Sequence, residues 1–160
     1  MASELRKSAR RVQNFMTAKG FSFDVQELPG STRTAREAAD SVGCQVAQIA
    51  KSLVFKNKAT GEPVLVVASG CNRVDLKKIK AATGLELGRA DGNTVKEKVG
   101  FAIGGIPPAG HIRPLETLLD PDLKQYDVIW AAAGTPFAVF QLKPADLQPL
   151  TGGRWIDLAE

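Results

Sequence analysis

Ala50-Lys51-Ser52-Leu53-Val54-Phe55 and Val64-Leu65-Val66-Val67-Ala68, separated by the polar stretch Lys56 to Pro63, are two β-rich runs that read as one hairpin. The second run is apolar at every position, so both of its faces are covered and it belongs in the middle of a sheet. Downstream, Leu115 to Leu119 is a further short strand. Asp127 to Ala133 and Phe137 to Leu142 flank a Gly134-Thr135-Pro136 turn and form a second hairpin. Trp155 to Leu158 reads as a closing strand, and Phe21 to Leu28 as a short early one.

Helices punctuate these strands without alternating strictly. Leu5, Ala9, Val12, Phe15 and Met16 recur at helical spacing, Arg6, Lys7, Arg10 and Arg11 take the remaining surface, and Gly20 ends the segment. Thr34 and Glu37 have capping-box spacing for a helix from Ala35 to Gly43. Asp75 caps a helix that turns Leu76, Ile79 and Ala82 inward and Lys77, Lys78 and Lys80 outward, and Gly84 stops it. Thr94 and Glu97 have the capping-box spacing again, before Gly100, and Pro144 suits the first turn of a short helix through Leu147. Paired hairpins with interspersed helices predict an α+β fold, a central mixed β-sheet flanked by helices, in one domain over residues 1–160.

The chain has 160 residues, 44% hydrophobic and 24% charged, which suits one globular core. Its 21 Lys and Arg against 17 Asp and Glu give a net charge of +4, which favours an anionic partner. Cys44 and Cys71 stand in no CxxC spacing and read as reduced thiols. No apolar run is long enough to span a membrane, and the basic start lacks a signal-peptide pattern, so a cytoplasmic protein is expected. His111 is the only histidine. It rules out metal sites built on several histidines and leaves one possible imidazole for any triad.

Three features carry possible chemistry. In a regular strand Lys51 shares a face with Ile49, Leu53 and Phe55, so a lysine stands in an apolar row. It either clamps an anionic or carbonyl-bearing ligand at a pocket mouth or snorkels to solvent. In Gly100-Phe-Ala-Ile-Gly104-Gly105-Ile-Pro107-Pro108-Ala-Gly110-His111, glycine backbone N–H groups can face a developing oxyanion while the prolines stiffen the loop. The alternative is a tight structural turn. His111, two residues before Arg113, is either a general base or a surface histidine, and no G-x-S-x-G nucleophile motif accompanies it. Arg6, Lys7, Arg10 and Arg11, then Lys77, Lys78 and Lys80, then Lys96 and Lys98 form basic clusters on separate helices, able together to follow a phosphate backbone or to serve singly as solvated faces. Aromatic residues are only 6%, too few for a base-stacking platform.

The I-A-K-S-L-V-F strand together with the later F-A-I-G-G-I-P-P-A-G-H loop resembles the YbaK/ProX family, which is similar to the editing domain of bacterial prolyl-tRNA synthetases, and the resemblance runs from about Leu5 to Leu158. It implies a trans-editing hydrolase that cleaves a wrong amino acid from the 3′ end of a tRNA, without cofactor, metal or side-chain nucleophile. Its partners would be aminoacyl-tRNA and, as a second candidate, an aminoacyl-tRNA synthetase, with neither DNA nor membrane. Lys51, Gly104 and Gly105 match the family's catalytic positions. Thr34, Ser52, Pro107, Pro108, Gly110, His111, Ala132, Gly134, Thr135 and Val139 fall in its substrate-binding region, and Arg6, Lys7, Arg10, Arg11, Lys77, Lys78 and Lys80 become the cations for tRNA.

The chain departs from the cysteine-specific branch of the family. Ala132-Ala133-Gly134 replaces a serine-glycine-glycine run, Val139 falls about where that branch has an aspartate, and Thr34 replaces an aromatic residue. These changes imply a ProXp-type member acting on another small or medium amino acid. A noncatalytic tRNA-binding module and a general small-ester hydrolase are the rival readings.

Overall fold

The computed structural model describes residues 5–160. The expected hairpin is present: β2 (Ile49–Asn57) and β3 (Pro63–Ser69) pair antiparallel, with Lys56 opposite Pro63. β3 is buried along its whole length and lies between β2 and β5 (Glu116–Leu119), to which it runs parallel. β6 (Ile129–Ala132) and β7 (Ala138–Leu142) form the second hairpin, β1 (Gln26–Glu27) pairs with β7, and β8 (Arg154–Trp155) runs parallel to β5. The sheet order β1-β7-β6-β2-β3-β5-β8, with parallel and antiparallel neighbours, is the mixed α+β sheet that the strand pattern predicts.

Alternation along β3 divides the core. Leu65 and Val67 pack against α1 (Lys7–Ala18) and α4 (Gly92–Val99), whereas Val64, Val66 and Ala68 pack against Ile79 of α3 (Leu76–Thr83). α1 buries Ala9, Val12 and Met16, the apolar face read from its spacing. α2 (Ala35–Val42) starts where Thr34 Oγ1 accepts the Glu37 N–H at 3.1 Å, and Asp75 caps α3 through the N–H groups of Lys77 and Lys78. No helix among the described residues is long and apolar enough to cross a membrane.

Four local expectations are corrected. Only Gln26 and Glu27 of the stretch Phe21 to Leu28 pair as a strand, because the Gln13 amide does a neighbouring strand's work: its Nε2 donates to Phe23 O and its Oε1 accepts from Val25 N, both at 2.8 Å. α4 begins at Asp91, three residues before the Thr94 start, and both carboxylate oxygens of Asp91 accept from Thr94, from its N–H and its hydroxyl. The helix expected at Pro144 is a 3-10 turn that runs on into α5 (Leu147–Thr151). The closing strand is Arg154–Trp155, with Val74 and Ala159 forming an isolated bridge beyond it.

One strand escapes the sequence pattern altogether. β4 (Leu87–Arg89) pairs with the far end of β2, residues Phe55 to Asn57, on the edge that also meets β6. β6 pairs with β2 only at Ile49 and Ala50. Between these two contacts, from Lys51 to Val54, the outer edge of β2 has no strand beside it, and the sheet opens there.

Candidate active site

The opening in the sheet is a cavity of about 400 Å³. β2 forms one wall, β6 and β7 contribute Trp130, Ala131, Ala132 and Val139, α2 and the turn before it contribute Thr32 to Ala35 and Ala38, and Ile103, Gly104 and Ile106 close another side. Most of the lining is apolar. Three hydroxyls interrupt it: Thr34 Oγ1 caps α2, whereas Thr32 Oγ1 and Ser52 Oγ are buried and have no hydrogen-bond partner among the described residues. An unpaired buried hydroxyl costs about 1–3 kcal/mol. Among the described residues the only charged ones lining the cavity are Lys51 and Arg33, and none of them brings a carboxylate to it.

Lys51 lines the cavity, and its ammonium is tethered by backbone carbonyls rather than left in solvent. Its Nζ donates to Asn72 O at 2.6 Å and to Gly70 O at 3.4 Å. Burial pulls its pKa below the ordinary lysine value, an effect that the nearby Cys71 and Asp120 oppose. The turn offering these carbonyls is itself anchored: the buried Asp120 carboxylate accepts Ser69 N at 3.0 Å and Asn72 Nδ2 at 2.8 Å. Gly70 lets the turn approach α2 and the Val46 carbonyl, since a Cβ there would lie 2.4 Å from Val46 O. An ammonium has three N–H donors, so one remains uncommitted. Gly70, Asn72 and Asp120 were not found from the sequence, where no motif marks them; in the structure Asp120 also caps a short 3-10 turn through Asp122 N.

The two loop glycines have different surroundings. Gly104 lines the cavity at φ +103°. Gly105 is buried outside it; its N–H donates to Ala102 O at 3.3 Å and its carbonyl accepts Gly134 N at 2.8 Å. A Cβ on Gly105 would sit 2.7 to 2.8 Å from three backbone atoms of Thr135. Of the two glycines expected at the site only Gly104 lines the cavity, and Gly105 is a close-packed spacer.

The cavity brings together Thr34, Lys51, Ser52, Gly104, Ala132 and Val139 from the expected set. It leaves out Gly134 and Thr135, which make the turn beneath Gly105; Thr135 Oγ1 accepts Phe137 N at 3.2 Å. Pro107 is buried outside it too. Pro108, Gly110 and His111 line a second cavity of about 430 Å³ with Phe15, Lys19 and Leu150. There His111 Nε2 and Pro107 O are 2.7 Å apart, the ring meets Phe101 edge-on, and burial lowers the imidazole pKa.

The basic clusters do not form one surface, because α1 and α3 pack on opposite faces of the sheet. Arg6 pairs with Glu27 and lies over the Phe137 ring, and Arg11 stacks on Phe101 and donates to Gly100 O. Lys78 binds Asp157 and Ala159 O, and Lys80 pairs with Glu86. Lys7, Arg10 and Lys77 are exposed. Both cysteines are free thiols, and the described residues contain no cluster of three or more His, Cys, Asp or Glu suited to a metal ion.

The family model of the aminoacyl-tRNA editing domain matches residues 30–150, which include every residue lining the first cavity. The chain is 30% identical over 154 residues to YwhH of Bacillus subtilis, a protein of uncharacterised activity, with 96% of this chain and 98% of that one covered. It is 29% identical over 126 residues to EbsC of Enterococcus faecalis, proposed to be a Cys-tRNA(Pro)/Cys-tRNA(Cys) deacylase, with 78% and 76% covered. Among solved structures, a proposed trans-editing enzyme for prolyl-tRNA synthetase superposes with a TM-score of 0.91 at 49% identity, over 98% of this chain and 99% of the other.

Proposed function

This chain belongs to the aminoacyl-tRNA editing domain family, as a YbaK/ProX-like editing protein, and from that premise we propose that it hydrolyses the ester between a wrong amino acid and the 3′-terminal ribose of a tRNA. The observation that carries this reading is the sheet opening itself: a small, largely apolar cavity with a tethered lysine, a glycine loop and no nucleophilic dyad. The cavity of about 400 Å³ suits a small or medium aminoacyl group, and the unpaired Thr32 and Ser52 hydroxyls lie buried in its wall. Thr34, Ala132 and Val139 would shape the specificity, and tRNA(Pro) is the first acceptor to test. A cytoplasmic location and contact with a synthetase follow from the same reading.

The chemistry asks little of side chains. An aminoacyl ester is already activated, so holding a water against its carbonyl carbon supplies much of the rate. Water adds to that carbon, the Gly104 N–H and the remaining Lys51 N–H stabilise the oxyanion, and the carbon–oxygen bond to ribose breaks. The proton lost by the attacking water ends on the departing ribose oxygen, leaving free amino acid and intact tRNA.

A deacylation screen over Ala-, Ser-, Thr-, Cys- and Val-charged tRNA(Pro), with their correctly matched tRNAs as controls, tests the reading. Hydrolysis of at least one mischarged pool, with the correct pairs spared, is expected. Binding without hydrolysis across the panel would instead favour a noncatalytic tRNA-binding module, and salt-insensitive cleavage of esters lacking RNA would favour a general esterase.

A further inference from the structure

We infer that Arg33 holds the phosphate that joins the last two nucleotides of the tRNA, a role that rests on the editing function proposed above. Among the described residues the cavity is lined by two cations and no carboxylate, and of the two Lys51 has the buried Asp120 carboxylate nearby. Lys51 spends two of its donors on Asn72 O and Gly70 O inside the protein. Arg33 is exposed at the cavity, and its guanidinium has no acceptor among the described residues. An anion entering the site therefore meets in Arg33 a cation whose guanidinium donors are uncommitted.

The root of this side chain is fixed. Thr32 N donates to Pro136 O at 2.6 Å, Arg33 N donates to Ser31 Oγ at 3.2 Å, and Thr34 caps α2 immediately afterwards. The Arg33 stem crosses the face of Gly104: a Cβ on that glycine would lie 3.1 Å from Arg33 Cγ and 3.3 Å from Nε. The fork thus stands beside the loop proposed to receive the ester. With the aminoacyl group in the cavity and the ribose at its mouth, the next charged group outward is the phosphate on the 5′ side of the terminal nucleoside. The N-terminus of α2 opens at the same rim through Thr34 and Ala35 and favours negative charge there. A guanidinium suits phosphate because it can donate two parallel hydrogen bonds.

The test is a chemical double-mutant cycle on an uncharged acceptor-stem hairpin ending in CCA, with binding read by fluorescence anisotropy. The four arms are wild type and Arg33→Gln, each with the normal RNA and with RNA carrying a neutral methylphosphonate at the terminal linkage. Arg33→Gln is expected to weaken binding of normal RNA about tenfold and to lower the slope of log Kd against log salt by about one. The methylphosphonate should weaken wild type by a similar factor and Arg33→Gln by less than twofold. Arg33→Lys should recover only part of the loss, since a point charge lacks the fork. Independent, multiplying losses would overturn the assignment, as would wild-type binding that ignores the methylphosphonate or cannot be detected at all. Because no deacylation is needed, a protein that binds with the coupled pattern yet hydrolyses no mischarged tRNA would refute the editing activity and leave the phosphate site standing.

Discussion

Replacing Gly105 by alanine places a methyl group 2.7 Å from the carbonyl carbon of Thr135 and 2.8 Å from its Cα and N, closer than such atoms approach. The obstacle is backbone, and it is held: Gly134 N donates to Gly105 O at 2.8 Å, and Ala138 N donates to Thr135 O at 3.3 Å. Relief requires the 104–106 loop and the 134–136 turn to move apart by several tenths of an ångström, which stretches the Gly134–Gly105 bond. Overpacking costs about 1–3 kcal/mol and the weakened hydrogen bond about 1 kcal/mol, for roughly 2–4 kcal/mol together. In a domain of this size that lowers Tm by roughly 5–15 °C. Gly104→Ala differs in kind, because its new methyl meets the flexible Arg33 side chain and its cost lies in the φ of +103°.

Differential scanning calorimetry of both variants, with deacylation measured well below each transition, separates spacer from participant. Gly105→Ala should lose mainly stability, whereas Gly104→Ala should lose more turnover per folded molecule than its Tm explains. If Gly105→Ala melts within about 2 °C of wild type and nonetheless abolishes turnover, the spacer assignment is wrong and Gly105 acts on the substrate.

Two further substitutions probe the ionisable groups. Lys51→Met should lower kcat/KM on mischarged tRNA by roughly 10²-fold, the usual loss for one oxyanion donor; undiminished turnover on every pool would remove Lys51 from the mechanism. Burial holds the folded-state pKa of Lys51 below its ordinary 10.5, so the unfolded chain binds the extra proton in that interval. Wild-type stability measured by urea unfolding should therefore improve relative to Lys51→Met as pH climbs from neutral toward 10.5. Burial likewise holds His111 below its ordinary 6.5, against a smaller opposing effect of the Pro107 carbonyl. Its stabilising contribution is full above 6.5 and declines as pH falls below that value, because the unfolded chain takes up the proton first. His111→Gln should flatten the stability profile just below pH 6.5; an unchanged slope there would mean that the imidazole is not held neutral by burial.

What the sequence made legible was local in origin. Period-two alternation placed Lys51 on the Ile49 face of its strand, and cap chemistry located the starts of α2 and α3 at Thr34 and Asp75. Cap spacing misled at Thr94 because Asp91, a strong N-cap residue three positions earlier, captures both Thr94 donors. β4 carried no signal, since Leu87-Gly88-Arg89 is too short for an alternation to show.

The active-site geometry was hidden for a different reason. Asp120 and Ser69 are 51 positions apart and meet because the parallel register of β3 with β5, Val67 opposite Leu119, brings their ends side by side. The cavity exists because β6 leaves β2 after Ala50 and β4 joins only at Phe55, a four-residue gap set by non-local register. A pattern that marks a residue as strand does not say which edge lacks a neighbour. Lys51 could thus be singled out, while the carbonyls that tether it could not. That tether fixes the Lys51 ammonium inside the protein while the Arg33 guanidinium stays uncommitted, so the Arg33 assignment and its methylphosphonate test rest in part on a contact between residues 21 positions apart, Lys51 and Asn72.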